Sequence, residues 1–132
     1  MTDAERDAFL RETRIGTLCT LNGDGSPNAL PLWFEWDGAQ ARMFSSRDAG
    51  KVRRLRRDPR ASLTVAAPVG APEAWVTVEG TVAILDEGGK ELGLRLAHVY
   101  YEGERREEAI AEWSQRDDWV LLELTPTRIR SY

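Results

Sequence analysis

The sequence predicts a mainly β protein, an antiparallel barrel of about seven strands with short helices beside it. Three observations indicate this fold class. Several segments alternate between apolar and polar residues with a period of two, as half-buried strands do. Turn-forming pairs such as Asn22-Gly23 and Asp37-Gly38 separate those segments closely enough for hairpins. The length of 132 residues suits a single domain over residues 1–132, and closure into a barrel leaves no unprotected sheet edges.

The first third of the chain is predicted to form a helix followed by a meander of strands. Thr2 and Glu5 have the spacing of a capping box, which predicts a short helix through about Arg11. Strands are predicted over residues 15–21, 28–36 and 40–46. Because the intervening turns are tight, we expect neighbouring strands to pair in antiparallel fashion.

The rest of the chain alternates helices with further strands. Ser46 or Asp48 can cap a helix that runs through Arg57, and Pro59 ends that helix. Later strands are predicted over residues 61–67, 75–85, 119–124 and 128–131, and helices over about 91–101 and 105–115. Thr125-Pro126 is expected to separate the last two strands.

A proline interrupts the second predicted strand. Pro31 has no N–H to donate, so this strand is expected to lie at a sheet edge or to open locally there. Trp33 follows on the same face of the strand. Together with Trp75, near the start of a later strand, Pro31 and Trp33 therefore form a candidate wall for a flat heterocycle, with free backbone groups beside it. The alternative is that Pro31 only marks an edge and that Trp33 belongs to the core.

Positive charge is concentrated in one segment of an acidic protein. Residues 47–60 contain two acidic side chains and seven basic ones, namely Arg47, Lys51, Arg53, Arg54, Arg56, Arg57 and Arg60. The segment thus carries a formal charge of +5, and the remaining residues carry −9, because the whole chain carries −4. Such a segment indicates a bound anion, or else a solvated helix face. We do not expect nucleic-acid binding, since the overall acidity repels a polyanion and no recognised binding motif is present.

The start of the basic helix has the residue types of an anion site. Ser45, Ser46 and Arg47 join a strand to this helix, whose first N–H groups have no partner within the helix. Lys51 and Arg54 are three residues apart, so they lie on one helix face and can donate charge-assisted hydrogen bonds to phosphate. The alternative is that the two serines are an ordinary helix cap.

The composition excludes several kinds of chemistry and location. One cysteine and one histidine cannot form a usual zinc site or a Cys/His nucleophilic pair, and we expect no metal. Cys19 is expected in the core of a protein from the reducing cytoplasm, and His98 on a helix surface. There is no run of about 18 apolar residues and the N-terminus is charged, so we expect neither a membrane span nor a secretory signal.

Several short motifs resemble those of one known family. They lie, in family order, at residues 14–18, 25–27, 31–33, 44–46, 51–61, 78–81 and 124–128. The most specific is the basic stretch from Lys51 to Asp58, Pro59 and Arg60. The chain resembles the pyridoxamine 5′-phosphate oxidase-like family of flavin-binding split barrels, and more narrowly its deazaflavin (F420)-dependent reductases.

The resemblance implies a split barrel of six to seven antiparallel strands that forms a homodimer with cofactor sites at the interface. Ser45, Ser46, Arg47 and Lys51 would bind the cofactor phosphate, with Arg54 nearby. The strand of Leu30, Pro31, Leu32 and Trp33 would lie against the isoalloxazine or deazaflavin ring. Residues that would bind pyridoxal phosphate are not evident, so oxidation of vitamin B6 is not expected.

Three functions follow from the resemblance. The first is a reductase that uses reduced F420 on a small conjugated substrate such as an enone, a quinone or a tetrapyrrole. The second is an FMN-dependent oxidoreductase on the same scaffold. The third is a flavin carrier or sensor without turnover. In the first two, the cofactor carries the hydride or electrons, and no protein side chain is assigned as a catalytic acid or base. Tyr100 and Tyr101 could line a substrate pocket or merely cover the barrel.

Overall fold

The computed structural model describes residues 1–132 as one curled antiparallel sheet with four short helices. The strands are β1 (Gly16–Leu21), β2 (Pro27–Leu32), β3 (Glu35–Trp36), β4 (Ala41–Ser46), β5 (Arg60–Ala66), β6 (Trp75–Leu85) and β7 (Trp119–Ser131). The helices are α1 (Asp3–Arg11), α2 (Gly50–Arg57), α3 (Gly89–Tyr100) and α4 (Gly103–Trp113). The predicted mainly β class is confirmed.

The sheet is a split barrel rather than a closed one. Its strand order is β2-β1-β5-β6-β7-β4-β3, so β2 and β3 form its two edges. Every pairing is antiparallel. The predicted barrel is therefore confirmed in its split form, and the gap between the two edges leaves backbone and side chains open to a ligand.

One hydrophobic cluster of 17 buried residues fills the inside of the sheet. Helix α1 contributes Phe9 and Leu10, and helix α2 contributes Val52 and Leu55 at helical spacing. The capping box at Thr2 and Glu5 is present as predicted. Helix α3 packs on the opposite face of β4 and β7, where a Cβ added to Gly93 would lie 2.7 Å from the ring of Trp119. None of the helices is long and apolar enough to cross a membrane.

The second predicted strand, residues 28–36, is divided in the structure. Strand β2 ends at Leu32 and β3 begins at Glu35, so Trp33 and Phe34 have no ladder partner. Pro31 pairs with Thr17 in an edge strand, which confirms the edge expected from the missing N–H. The break in the ladder lies two residues beyond the proline rather than at it.

Two further details of the predicted elements were wrong. Neither Ser46 nor Asp48 caps α2: its N-cap is Ala49, which has no side chain able to cap. The two predicted C-terminal strands are one strand, β7, which continues through Thr125 and Pro126 because an irregularity at Gly80 of β6 absorbs the extra residue. A Cβ added to Gly80 would lie 1.9 Å from the carbonyl oxygen of Thr125, so only glycine allows this close approach.

Cys19 and His98 lie outside the core. The expectation of a core position for Cys19 was wrong, because its side chain is half-buried on the outer face of β1, beside Ala29 and Ser62. The alternation of β1 instead buries Leu18 and its neighbours on the inner face. His98 is exposed on α3, as expected.

Candidate functional site

A pocket of about 270 Å³ lies at the split of the barrel. Five of its six lining residues are apolar or aromatic, and the sixth is a lysine: Leu32, Trp33, Phe44, Lys51, Tyr101 and Trp113. They come from the end of β2, the break after it, β4, the start of α2, the α3–α4 connection and the end of α4. The pocket therefore forms only when the whole chain is folded.

Aromatic rings form the wall of this pocket. The Trp33 ring meets Tyr101 edge to face at a centroid distance of 4.7 Å, and Trp113 lies 5.9 Å from it. Trp113 also lies 5.8 Å from Phe44. These are the separations at which aromatic rings attract each other. The result is a wall of flat, polarisable surfaces suited to a planar conjugated ligand.

Lys51 is the charged group of the pocket. Its side chain is half-buried, and it forms no ion pair with any carboxylate. Burial lowers the pKa of Lys51 from its ordinary value, and the positive charge of Arg54 lowers it further. A partly buried cation without an acidic partner is costly because it loses hydration, so this position favours a bound anion.

The start of helix α2 supplies further anion donors next to Lys51. Ala49 offers no capping side chain, so the N–H groups of Gly50 and Lys51 at the start of the helix have no side-chain acceptor. A Cβ added to Gly50 would lie 3.1 Å from Nη1 of Arg54 and 3.7 Å from Nη2 of Arg53, so both guanidinium groups lie beside this helix end. Nε of Arg54 donates to Oγ1 of Thr20 at 2.8 Å, which leaves its terminal nitrogens for other acceptors.

The predicted phosphate residues do not all converge. Ser45 points into the barrel, where it is buried, and its hydroxyl donates to the carbonyl oxygen of Ser46 at 3.1 Å. Ser46 lies on the opposite face of β4, as adjacent strand residues must. Arg47 is exposed, and its backbone N–H donates to the carbonyl oxygen of Asp118 at 2.7 Å. Only Lys51 of the predicted phosphate residues lines the pocket itself.

The predicted ring-binding residues do not all lie in the pocket. Leu32 and Trp33 line the pocket. Leu30 shares the inner face of β2 with Leu32, whereas Pro31 points outward and is exposed. Phe44 and Trp113 were not predicted from the sequence to lie in the site, although Tyr101 was a candidate for a pocket wall. The abundance of tryptophan, five in 132 residues, was the available signal.

The charges on the two sides of the pocket are opposite in sign. Tyr101 and Trp113 also line a neighbouring groove of about 530 Å³, whose other residues include Glu104, Glu108 and Glu112 of α4. These glutamates recur every four residues, so they share one helix face. The basic side is α2, across the pocket of Leu32, Trp33, Phe44, Lys51, Tyr101 and Trp113, which we call the ring pocket. An anionic group is therefore favoured at α2 and disfavoured along α4.

The fold and this pocket define a class: a split β-barrel protein with an aromatic, singly cationic pocket beside a basic helix end. Comparison with protein families refines the class, since the family model of pyridoxamine 5′-phosphate oxidase matches residues 2–132. The chain therefore belongs to the pyridoxamine 5′-phosphate oxidase family. No curated protein matches the sequence.

Solved structures with the same fold carry different descriptions. A conserved hypothetical protein from Mycobacterium tuberculosis is 25% identical with a TM-score of 0.81, over 100% of this chain and 84% of that one. A structure described as an F420 reductase is 23% identical with a TM-score of 0.76, over 94% of each chain. The haem storage protein HutZ from Vibrio cholerae is 22% identical with a TM-score of 0.69, over 98% of this chain and 92% of that one. The shared fold thus accompanies more than one function.

Proposed function

We propose that this protein is an F420-dependent oxidoreductase that transfers a hydride between the deazaflavin and a small conjugated organic substrate. The observation that carries the proposal is Lys51, a half-buried cation without an acidic partner in an aromatic pocket. That pairing of a planar apolar wall with one cation matches a ligand that combines a tricyclic ring with a phosphate. Family membership and a likeness to an F420 reductase support the same class of cofactor.

The phosphate is assigned to the start of α2. Lys51 and Arg54 supply the side-chain donors there, and the uncapped helix end supplies backbone N–H groups. Ser46 and Arg47 lie at the adjoining strand end and remain candidate phosphate contacts, whereas Ser45 must turn away from the carbonyl of Ser46 to take part. The donor set thus fits one phosphate group with two cations.

The remaining arginines of α2 favour F420 over FMN, because F420 carries a lactyl and oligoglutamate tail beyond its phosphate. Arg53 lies beside the helix start, and a Cβ added to Gly23 would lie 3.4 Å from Cζ of Arg57, which places Arg57 at the β1–β2 turn. Arg60 is less available for the tail, since its guanidinium group forms a bidentate ion pair with the carboxylate of Asp58. Arg53 and Arg57 are thus the proposed tail contacts.

The helical arrangement of α2 provides an internal comparison. Val52 and Leu55 bury one face of the helix. At about 100° per residue, Lys51 and Arg54 lie on one flank of that face and Arg56 on the other flank. Arg56 has no assigned contact in the site. It is therefore a matched control for substitutions on the cofactor side of the helix.

The chain's contribution to the reaction is binding, orientation and exclusion of water. When bound, the cofactor supplies the hydride or accepts it. Leu32 and Trp33 would hold one side of the ring, and Phe44 and Trp113 the apolar surroundings that exclude water. Tyr101 lies at the junction with the neighbouring groove, where a planar substrate could enter. No side chain is assigned as a proton donor.

We propose that the protein forms a homodimer whose interface completes the site. The outer face of β1, β2 and β5 carries small uncharged side chains in register, including Thr17, Cys19, Ala29, Pro31, Ser62 and Thr64. Ile15 beside it is 52% exposed, which is unusual for so large an apolar side chain. An uncharged face of small side chains suits close packing against a second copy.

Two other functions remain as alternatives, each with its own support. An FMN-dependent oxidoreductase would use the same ring pocket and phosphate donors and leave the arginines of α2 as a solvated face. A non-enzymatic carrier or sensor is supported by the likeness to HutZ, described as a haem storage protein.

Turnover and binding together separate the three functions. The purified protein is titrated with F420 and with FMN, and the reduced form of each is then mixed anaerobically with a quinone. The proposal expects tighter binding of F420 and oxidation of its reduced form that depends on the protein. Tighter binding of FMN with turnover would support the second function. Tight binding without turnover on quinones, enones or tetrapyrroles would support the third.

A further inference from the structure

Tyr100 contacts the backbone at the break in the sheet between β2 and β3, beside the ring pocket. It is the last residue of α3 and lies next to Trp33 and Phe34, the two residues between β2 and β3 that have no ladder partner. Tyr100 itself does not line the pocket. It is separated by 66 residues from Phe34 and by 86 from Arg14, both of which its hydroxyl contacts.

The hydroxyl of Tyr100 joins two distant backbone segments. It lies 2.6 Å from the carbonyl oxygen of Arg14, 3.3 Å from that of Phe34, and 3.5 Å from the backbone nitrogen of Phe34. A phenol has one proton, so it donates to the nearer carbonyl, that of Arg14, and can accept from the N–H of Phe34. Burial raises the pKa of Tyr100, so the hydroxyl keeps its proton around neutral pH.

The ring of Tyr100 packs against one face of the Trp33 ring. The two rings are stacked at a centroid distance of 4.6 Å with an angle of 10° between their planes. Trp33 meets Tyr101 and Trp113 on the pocket side. One residue thus contacts both the side chain of Trp33 and the backbone immediately after it.

From this double contact we infer that Tyr100 is a positioning residue, which sets the orientation of Trp33 in the ring pocket. Without the stack and the hydroxyl, Trp33 would lose its stacked partner and Phe34 the side chain that hydrogen-bonds its backbone. Tyr100 acts through Trp33 and not by contact with a ligand. The cofactor part of this inference rests on the proposed function, whereas the orientation of Trp33 does not.

The first experiment measures Trp33 without any ligand. The five tryptophan indole N–H signals are followed in ¹H–¹⁵N NMR spectra, and that of Trp33 is assigned by its loss in Trp33→Leu. Tyr100→Phe removes only the hydroxyl, and Tyr100→Leu removes the stack as well. We expect the Trp33 signal to move more than the other four in Tyr100→Phe, which keeps the ring and its ring current. In Tyr100→Leu it should move further, partly because the ring current of the stacked ring is lost. Tyr132→Phe, at a residue that is 65% exposed, is the matched control and should move none of them.

The second experiment measures whether Tyr100 acts through Trp33. The affinities for FMN and for F420 are determined for Tyr100→Phe in the wild-type and in the Trp33→Leu background. We expect a loss of about fivefold for the first, the usual effect of one buried hydrogen bond, and almost none for the second. Tyr100→Leu should lose roughly tenfold or more in the wild-type background.

Each result decides the inference. A Trp33 signal that stays in place in Tyr100→Phe overturns it, as does an equal loss of affinity in both backgrounds. Unfolding of Tyr100→Phe also overturns it, because the residue would then be structural. If the wild type binds neither cofactor, the proposed function fails, and the NMR signals alone decide whether Tyr100 orients Trp33.

Discussion

Replacing Lys51 by alanine should separate ligand binding from folding. Lys51 is half-buried in the ring pocket without a carboxylate partner. A charge-assisted hydrogen bond contributes about 1.5–3 kcal/mol, so Lys51→Ala should weaken cofactor binding about 10- to 150-fold. The free energy of unfolding of the cofactor-free protein should change little, because burial and Arg54 disfavour the charged form of Lys51 in the folded state.

The pH dependence of binding gives a second readout for Lys51. Only the protonated amine attracts phosphate, so affinity should fall as the pH rises through the pKa of Lys51. Burial lowers that pKa from its ordinary value of 10.5, so the fall should begin at a lower pH than for an exposed lysine. Arginine stays charged throughout this range, and Lys51→Arg should abolish the fall.

The assay is fluorescence titration with F420 and FMN, together with thermal unfolding of the cofactor-free protein. Arg56→Ala, on the other flank of α2, is the control and should change neither affinity nor stability by a large amount. If Lys51→Ala instead lowers the melting temperature sharply and leaves affinity unchanged, Lys51 is structural and the phosphate site lies elsewhere.

Three further predictions concern the fold, the turn and the dimer. Gly80→Ala should lower the free energy of unfolding by at least about 1–3 kcal/mol, because its Cβ would lie 1.9 Å from the backbone of Thr125. Thermal unfolding measures this, and Gly23→Ala is the control that should have only a small effect. Hydrogen bonds from the backbone N–H groups of Gln40 and Ala39 hold the pKa of Asp37 at about 2, so Asp37→Asn should lower stability at neutral pH. Unfolding curves of the two proteins should converge as the pH falls from 3.8 towards about 2. Light scattering should show that the wild type is a dimer at micromolar concentration and that Thr64→Arg is a monomer. A wild-type monomer that still binds cofactor tightly would contradict the proposed interface.

Local sequence signals predicted most of the fold because they act over a few residues. The capping box fixed the start of α1, and the alternation of residues 75–85 matched β6 at both ends. The missing N–H of Pro31 correctly indicated an edge strand. These features depend on the backbone chemistry of neighbouring residues, which the sequence contains.

The errors lie where a distant segment determines the outcome. Thr125-Pro126 has the chemistry of a strand end, but Gly80 on the neighbouring strand accommodates the extra residue and keeps β7 continuous. The break after β2 is contacted by Tyr100, which is 66 residues away from Phe34. No periodicity within one segment can reveal such a partner.

The candidate site was predictable in its location but not in its composition. The basic charge and the proline-containing strand indicated Lys51, Leu32 and Trp33, all of which line the pocket. Phe44 and Trp113 join them only through packing of α3 and α4 on β4, which tertiary structure alone determines. The inward orientation of Ser45 follows from the register of β4 with β7.

The dependence of affinity on the tail of F420 tests the central claim most directly. F420 with long and with short oligoglutamate tails, and FMN, are titrated at low and at high salt into the wild type, Arg57→Ala and Arg56→Ala. Exposed ion pairs contribute only about 0–1 kcal/mol each, so we expect affinity to rise modestly with tail length at low salt and to become independent of it at high salt. Arg57→Ala should weaken the dependence on tail length, because only Arg53 then remains as a tail contact, and Arg56→Ala should leave it unchanged. Tighter binding of FMN than of F420, with no effect of tail length, would contradict the claim and identify the arginines of α2 as a solvated face.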